Sequence, residues 1–161
     1  MPDLRIKFSP TQKRVILKVV DENEVLASFS LKAKKTLDGN IMVYDHKDVD
    51  IILMPEKKKI VTFKKEGSPG DSAYGASDRM FKYLGSRGLI DLNSIQGGNV
   101  LGSYEATIPD SNIQITNKIV LLGLSKWMEK ERPYFEYGED YEDLTQNRLL
   151  EPDDQESTEL G

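Results

Sequence analysis

The chain has 161 residues, 38% hydrophobic and 30% charged, with a net charge of −5 and no cysteine. That length suits one domain with a real core, and the absence of cysteine excludes disulfides, thiolate nucleophiles and cysteine-ligated zinc or iron–sulfur sites. No apolar run approaches the roughly 18 residues that cross a bilayer, and the opening MPDLRIKFSP lacks the apolar stretch of a secretion signal. The expectation is a cytosolic protein with no membrane partner, or a particle-associated one if the chain is viral.

From Leu4 the residues alternate, with Leu4, Ile6 and Phe8 on one side and Arg5 and Lys7 on the other, the period of a strand with one wet face. Pro10 ends it. Arg14 to Val20 is rich in β-branched residues and predicts a second strand after the turn Ser9-Pro10-Thr11-Gln12. Past Asp21-Glu22-Asn23-Glu24, Val25, Ala27, Phe29, Leu31 and Ala33 alternate with Ser28, Ser30, Lys32 and Lys34, the clearest strand in the chain. Leu37-Asp38-Gly39-Asn40 carries the Asp-Gly signal of a tight hairpin, and Ile41 to Tyr44 returns. Val49 to Met54 and Ile60 to Lys65 form another hairpin around Pro55-Glu56-Lys57-Lys58. Connections this short exclude parallel crossovers, so these strands predict an antiparallel meander.

Gly67 to Gly75 reads as the one true loop, and Ser77 or Asp78 caps a short helix over Asp78 to Ser86. Leu89 to Ile95 fits neither period cleanly. After Gly97-Gly98-Asn99, Val100 to Ile108 predicts a strand. Ser111 to Arg132 then predicts the main helix, capped by Asp110 or Ser111 and stopped by Pro133, with Ile113, Val120, Leu121, Leu124, Trp127 and Met128 on its apolar stripe.

Charge is unevenly spread. Residues 1–66 hold 14 Lys and Arg against 10 Asp and Glu, residues 67–132 seven against seven, and residues 133–161 one against ten. A tail this acidic is easily solvated as a disordered appendage, yet Tyr134, Phe135, Tyr137, Tyr141, Leu149 and Leu150 give it contact area that a solubility tag does not need.

Chemistry-bearing clusters are few. His46, Asp48 and Asp50 share a face if their segment is extended, a spacing that suits metal ligands, but His46 is the only histidine and a hydrated Asp-rich turn explains the stretch as well. Gly70-Asp71-Ser72 is similar to the nucleophile block of the GDSL hydrolases, and no histidine follows Ser72 to act as its base. No phosphate-binding glycine motif occurs. Neither catalysis nor a cofactor or metal is expected.

The fold expected is α+β: an antiparallel β-meander of about six or seven strands packed by two helices, with an acidic C-terminal arm. Residues 1–132 form the domain (1–66 β-rich, 67–132 a helix-hairpin-helix cover), and 133–161 the tail. The function expected is a non-catalytic interaction or assembly protein whose arm docks on a protein partner or sister subunit through Tyr134, Phe135, Tyr137, Tyr141, Leu149 and Leu150. A viral or phage structural or accessory component fits that description. The alternative is a nucleic-acid-binding regulator that uses Lys32, Lys34, Lys57, Lys58, Lys59, Lys64 and Lys65, with the tail as an autoinhibitory mimic of phosphate.

Overall fold

The computed structural model describes residues 2–97, 103–109 and 113–137, with side chains from 117 to 132 in the last segment. In chain order its elements are β1 (Asp3–Ser9), β2 (Arg14–Asp21), β3 (Glu24–Lys35), β4 (Ile41–Val43), β5 (Val49–Met54), β6 (Lys59–Lys64), α1 (Gly70–Ser86), β7 (Asp91–Gly97), β8 (Tyr104–Thr107) and α2 (Ile113–Tyr137). The strands make one eight-stranded sheet in the order β1-β2-β3-β4-β5-β6-β8-β7, every pairing antiparallel. The α+β class and the meander of the first six strands are as the alternation predicts. The sheet is wider than expected, because the stretch after Leu89 supplies β7.

Turn chemistry sets the register. Glu22 and Asn23 both take positive φ (50° and 67°), the twist that a two-residue hairpin needs, and Asp21 pairs with Glu24 directly behind them. Gly39, at φ 85°, makes the corresponding bend between β3 and β4. The twelve-residue β3 pairs with β2 over Glu24 to Lys32 and with β4 over Ala33 to Lys35, so it joins the N-terminal hairpin to the rest of the sheet.

One face of the sheet is dry. Val15, Leu17, Phe29, Leu31, Ala33, Val43, Val49, Ile51, Leu53, Ile60 and Ala106 are all buried there, and both helices pack on that side. α1 buries Ala73, Ala76, Ser77, Met80, Phe81 and Leu84 at helical spacing, and the Ser77 and Thr62 hydroxyls meet at 2.7 Å between α1 and β6. α2 buries Val120, Leu121, Leu124, Trp127 and Met128, as its stripe predicts; Ile113 lies outside the described side chains. Gly123 lets the helices approach closely, since a Cβ there would stand 2.8 Å from Leu89 Cδ1 and 3.0 Å from Leu84 Cδ2.

Two helix boundaries differ from the sequence reading, and among the described residues β8 covers only Tyr104–Thr107 of the strand expected over Val100 to Ile108. The helix expected over Asp78 to Ser86 begins at Gly70, inside the segment read as a loop, because burying Ala73 and Ala76 against the sheet outweighs the roughly 1 kcal/mol that Gly75 costs in a helix. α2 runs through Pro133 to Tyr137. Proline's fixed φ is helical, so a proline weakens a helix by losing one hydrogen bond and crowding a carbonyl without always ending it.

The dry side also holds charge. His46 is fully buried, stacked on Trp127 at 5.3 Å between ring centroids, and its Nδ1 accepts the Asp48 N–H at 3.0 Å. That leaves the proton of the neutral ring on Nε2, which lies 3.5 Å from Glu131 Oε1. Arg79 of α1 grips Glu131 of α2 with two hydrogen bonds of 2.9 Å. Burial alone would push the Glu131 carboxyl up; the hydrogen bonds from His46 and Arg79 and the guanidinium charge outweigh it and hold the carboxyl below its ordinary value. Arg79→Met leaves that buried carboxylate without its cation. With the Arg79 side chain one-third exposed, we expect a loss at the low end for a broken buried pair, about 3 kcal/mol, read from urea unfolding. Because the folded value is lowered, the contribution of Glu131 is fully present above the unfolded carboxylate range, near pH 4.3, and is lost as pH falls through the lowered value. The stability gap between the native chain and Glu131→Gln therefore closes on acidification below about pH 4.3.

Candidate functional site

Alternation places every second residue of β1 to β3 on the face that the helices leave open. Arg5 and Lys7 from β1, Arg14 and Lys18 from β2, and Lys32 and Lys34 from β3 share that face. Two pairs of them stand directly opposite one another: Arg5 faces Lys18, and Arg14 faces Lys32. Like charges in register destabilise a sheet. Little on the face neutralises them. Asp3 lies 3.7 Å from Arg5, both side chains being largely exposed, and Arg14 Nε donates to the Ser30 hydroxyl at 2.7 Å.

Towards β4 and β5 this face becomes a groove of about 350 Å³ lined by Lys13, Lys34, Met42, Tyr44, Asp50 and Lys65. Tyr44 builds its wall. Its N–H donates to the Lys32 carbonyl at 3.0 Å, its hydroxyl to the Lys13 carbonyl at 3.0 Å, and its own carbonyl accepts from Lys65 Nζ at 3.0 Å. With β2 and β4 on opposite sides of β3, the tyrosine reaches across β3 to make the second of these bonds. Lys65 also lies 3.6 Å from Asp50. Lys13 and Lys34 have no ion pair among the described residues.

The lysines read from the sequence divide into two groups. Lys32 and Lys34 belong to the cationic face. Lys57, Lys58 and Lys59 sit at one end of β6 and Lys64 and Lys65 at the other, about 17 Å apart at strand spacing, so the five do not form one patch. Lys59 is paired with Glu105 at 3.0 Å, and Lys64 Nζ donates to the Lys65 and Ser68 carbonyls. Of the arm residues, Tyr134, Phe135 and Tyr137 fall in the last turns of α2, where only the backbone is described, and Tyr141, Leu149 and Leu150 lie outside the described residues.

His46, Asp48 and Asp50 do not converge. His46 points under Trp127 on the helix side, while Asp50 faces Lys65 in the groove. No group of three or more His, Asp or Glu suited to a metal ion occurs among the described residues. Asp71 and Ser72 lie exposed in the first turn of α1. Among the described residues no helix is long and apolar enough to cross a membrane.

Sequence reasoning missed Arg5, Lys7, Lys13, Arg14, Lys18 and Tyr44. For the first two and for Arg14 and Lys18 the signal was present: three consecutive strands each alternate a cation with an apolar residue, and laying their wet faces side by side gathers the charges. Tyr44 carries no such signal, because its partners come from three separate segments. No protein-family model, curated protein or solved structure matches the chain.

If the cationic face opposes folding, relieving it stabilises the domain. In a chain ending at Tyr137, Lys18→Ser and Lys32→Ser should each raise stability by about 0.2–1 kcal/mol at low ionic strength. Denaturation in high salt should show the gain fading, since exposed charges are screened.

Proposed function

We propose that this protein is a non-catalytic interaction or assembly module whose acidic C-terminal arm docks on a protein partner or a sister subunit. One observation carries the reading. A sheet face with six cations, two pairs of them opposed in register, belongs to the same chain as a segment with one Arg against ten Asp and Glu. Complementary surfaces of this kind steer association and fix partner choice more than they add raw affinity. The aromatic residues Tyr134, Phe135, Tyr137 and Tyr141, with Leu149 and Leu150, supply the apolar contact that charge alone lacks.

The same face supports a second reading, binding of nucleic-acid phosphates with the arm as their mimic. Lys32 and Lys34 serve it, joined by Arg14 and Lys18. Against it, Tyr44 is the single aromatic ring that the described residues place over the open face of β1 to β3, and its hydroxyl is already tied to the Lys13 carbonyl, which leaves no row of rings on which successive bases would stack.

Light scattering and sedimentation of the full chain and of a chain ending at Arg132, which lacks Tyr134, Phe135 and Tyr137 with the rest of the arm, each at low and high salt, test the choice. The buried hydrophobic residues among those described lie within residues 15–128, so the shorter chain keeps them. The arm reading expects association of the full chain that weakens with salt and is lost on truncation. Equal behaviour of the two chains towards each other and towards added partners would sink it. Salt-sensitive binding of DNA or RNA that strengthens on truncation would favour the second reading.

A further inference from the structure

The groove beside Tyr44 and the end of α2 lie at the same end of the sheet. Glu131, six residues before the last residue of α2, approaches His46 to 3.5 Å, and His46 follows Tyr44 by two residues. The five-residue connection from Tyr44 to Asp48 thus shows one side chain to the groove and another to α2. From Tyr137, four extended residues span up to about 14 Å, which is the longest path residue 141 has from the end of α2 around the strand ends.

The chain also has a segment that suits the groove. Glu139-Asp140-Tyr141-Glu142-Asp143 sets one aromatic ring among four carboxylates. The groove sets a thioether and a phenol, Met42 and Tyr44, among Lys13, Lys34 and the ion pair of Lys65 with Asp50. A ring fits against sulfur and another ring, and flanking carboxylates fit ammonium groups that lack other ion pairs.

We propose that in the free protein residues 139–143 fold back into their own chain's groove, Tyr141 against Met42 and Tyr44 and its neighbouring carboxylates against Lys13 and Lys34. This deepens the arm reading above and rests on it: the docking arm is held in an autoinhibitory contact until a partner's surface displaces it. A tethered segment acts at millimolar effective concentration, so a weak contact suffices to keep it closed.

Carbodiimide coupling of the full-length protein tests this, since it joins a carboxylate to an amine already in contact. Equal parts of ¹⁴N- and ¹⁵N-labelled chains are mixed, coupled, and the linked peptides identified by mass spectrometry. The expected result is a link from a carboxylate of residues 139–143 to Lys13 or Lys34 with both halves of the same isotope. Tyr141→Ala should lower its yield about three- to tenfold while leaving every charge in place. Links at Lys13 or Lys34 that join different isotopes would overturn self-docking and leave the arm reading standing. Links confined to other lysines, an undiminished yield in Tyr141→Ala, or no arm links at all would overturn the groove assignment. The arm reading itself fails separately, in the truncation experiment.

Discussion

Two helices form one layer, and one layer covers one face of a sheet. Everything else about this molecule follows from that constraint. Because side chains alternate across a strand, the helices fix which half of each strand becomes core and which half meets water. Val15, Leu17, Phe29 and Leu31 become core on β2 and β3; the cations between them are placed together on the other side as a direct consequence. A sheet of this kind usually mixes charges on its wet face, since opposite charges across strands stabilise and like charges do not. Here Arg5 opposes Lys18 and Arg14 opposes Lys32, and the carboxylates that would balance them are concentrated in the arm. The chain has separated its charges in sequence, and the separation gains meaning once the sheet is closed up in register.

The connection from Tyr44 to Asp48 carries the second constraint. Inside, His46 is pressed against Trp127 and directed at Glu131, which Arg79 holds from the neighbouring helix. A buried carboxylate persists as a charge only with a cation and donors around it, so α1, α2 and this loop are obliged to meet at one place. Outside, Tyr44 is tied by three hydrogen bonds to Lys32, Lys13 and Lys65. The loop is therefore held from both faces. It fixes where α2 leaves the domain and shapes the groove beyond it.

Much of this fold was legible in the sequence, for a physical reason: strands with one wet face announce themselves by alternation, and the Asp-Gly turn and the charged turn before β3 mark their ends. The apolar stripe of α2 was equally plain. What escaped depended on contacts distant along the chain. Gly70 and Gly75 look like loop residues until Ala73 and Ala76 are seen packed on the sheet. Pro133 looks like a stop, though a helix can pass through it. His46 sits in an Asp-rich stretch that suggests solvent or metal, and its burial is decided by Trp127 and Glu131 far downstream. The lysines of the β5–β6 turn and of Lys64-Lys65 looked like one cluster because they are close in sequence, whereas a strand holds them apart. The cationic face was readable in principle, since it needs only the alternation already noticed in three strands.

The central claim is that the open face of β1 to β3 receives the acidic arm. It is tested most directly by titrating a synthetic peptide of residues 138–161 into an isotope-labelled chain ending at Tyr137 and following backbone amide resonances at low and high salt. The account predicts saturable shifts centred on Lys13, Arg14, Lys18, Lys32, Lys34 and Tyr44 that weaken as salt rises. Shifts confined to Lys57, Lys58 and Lys59, or no shifts at low salt, would contradict it.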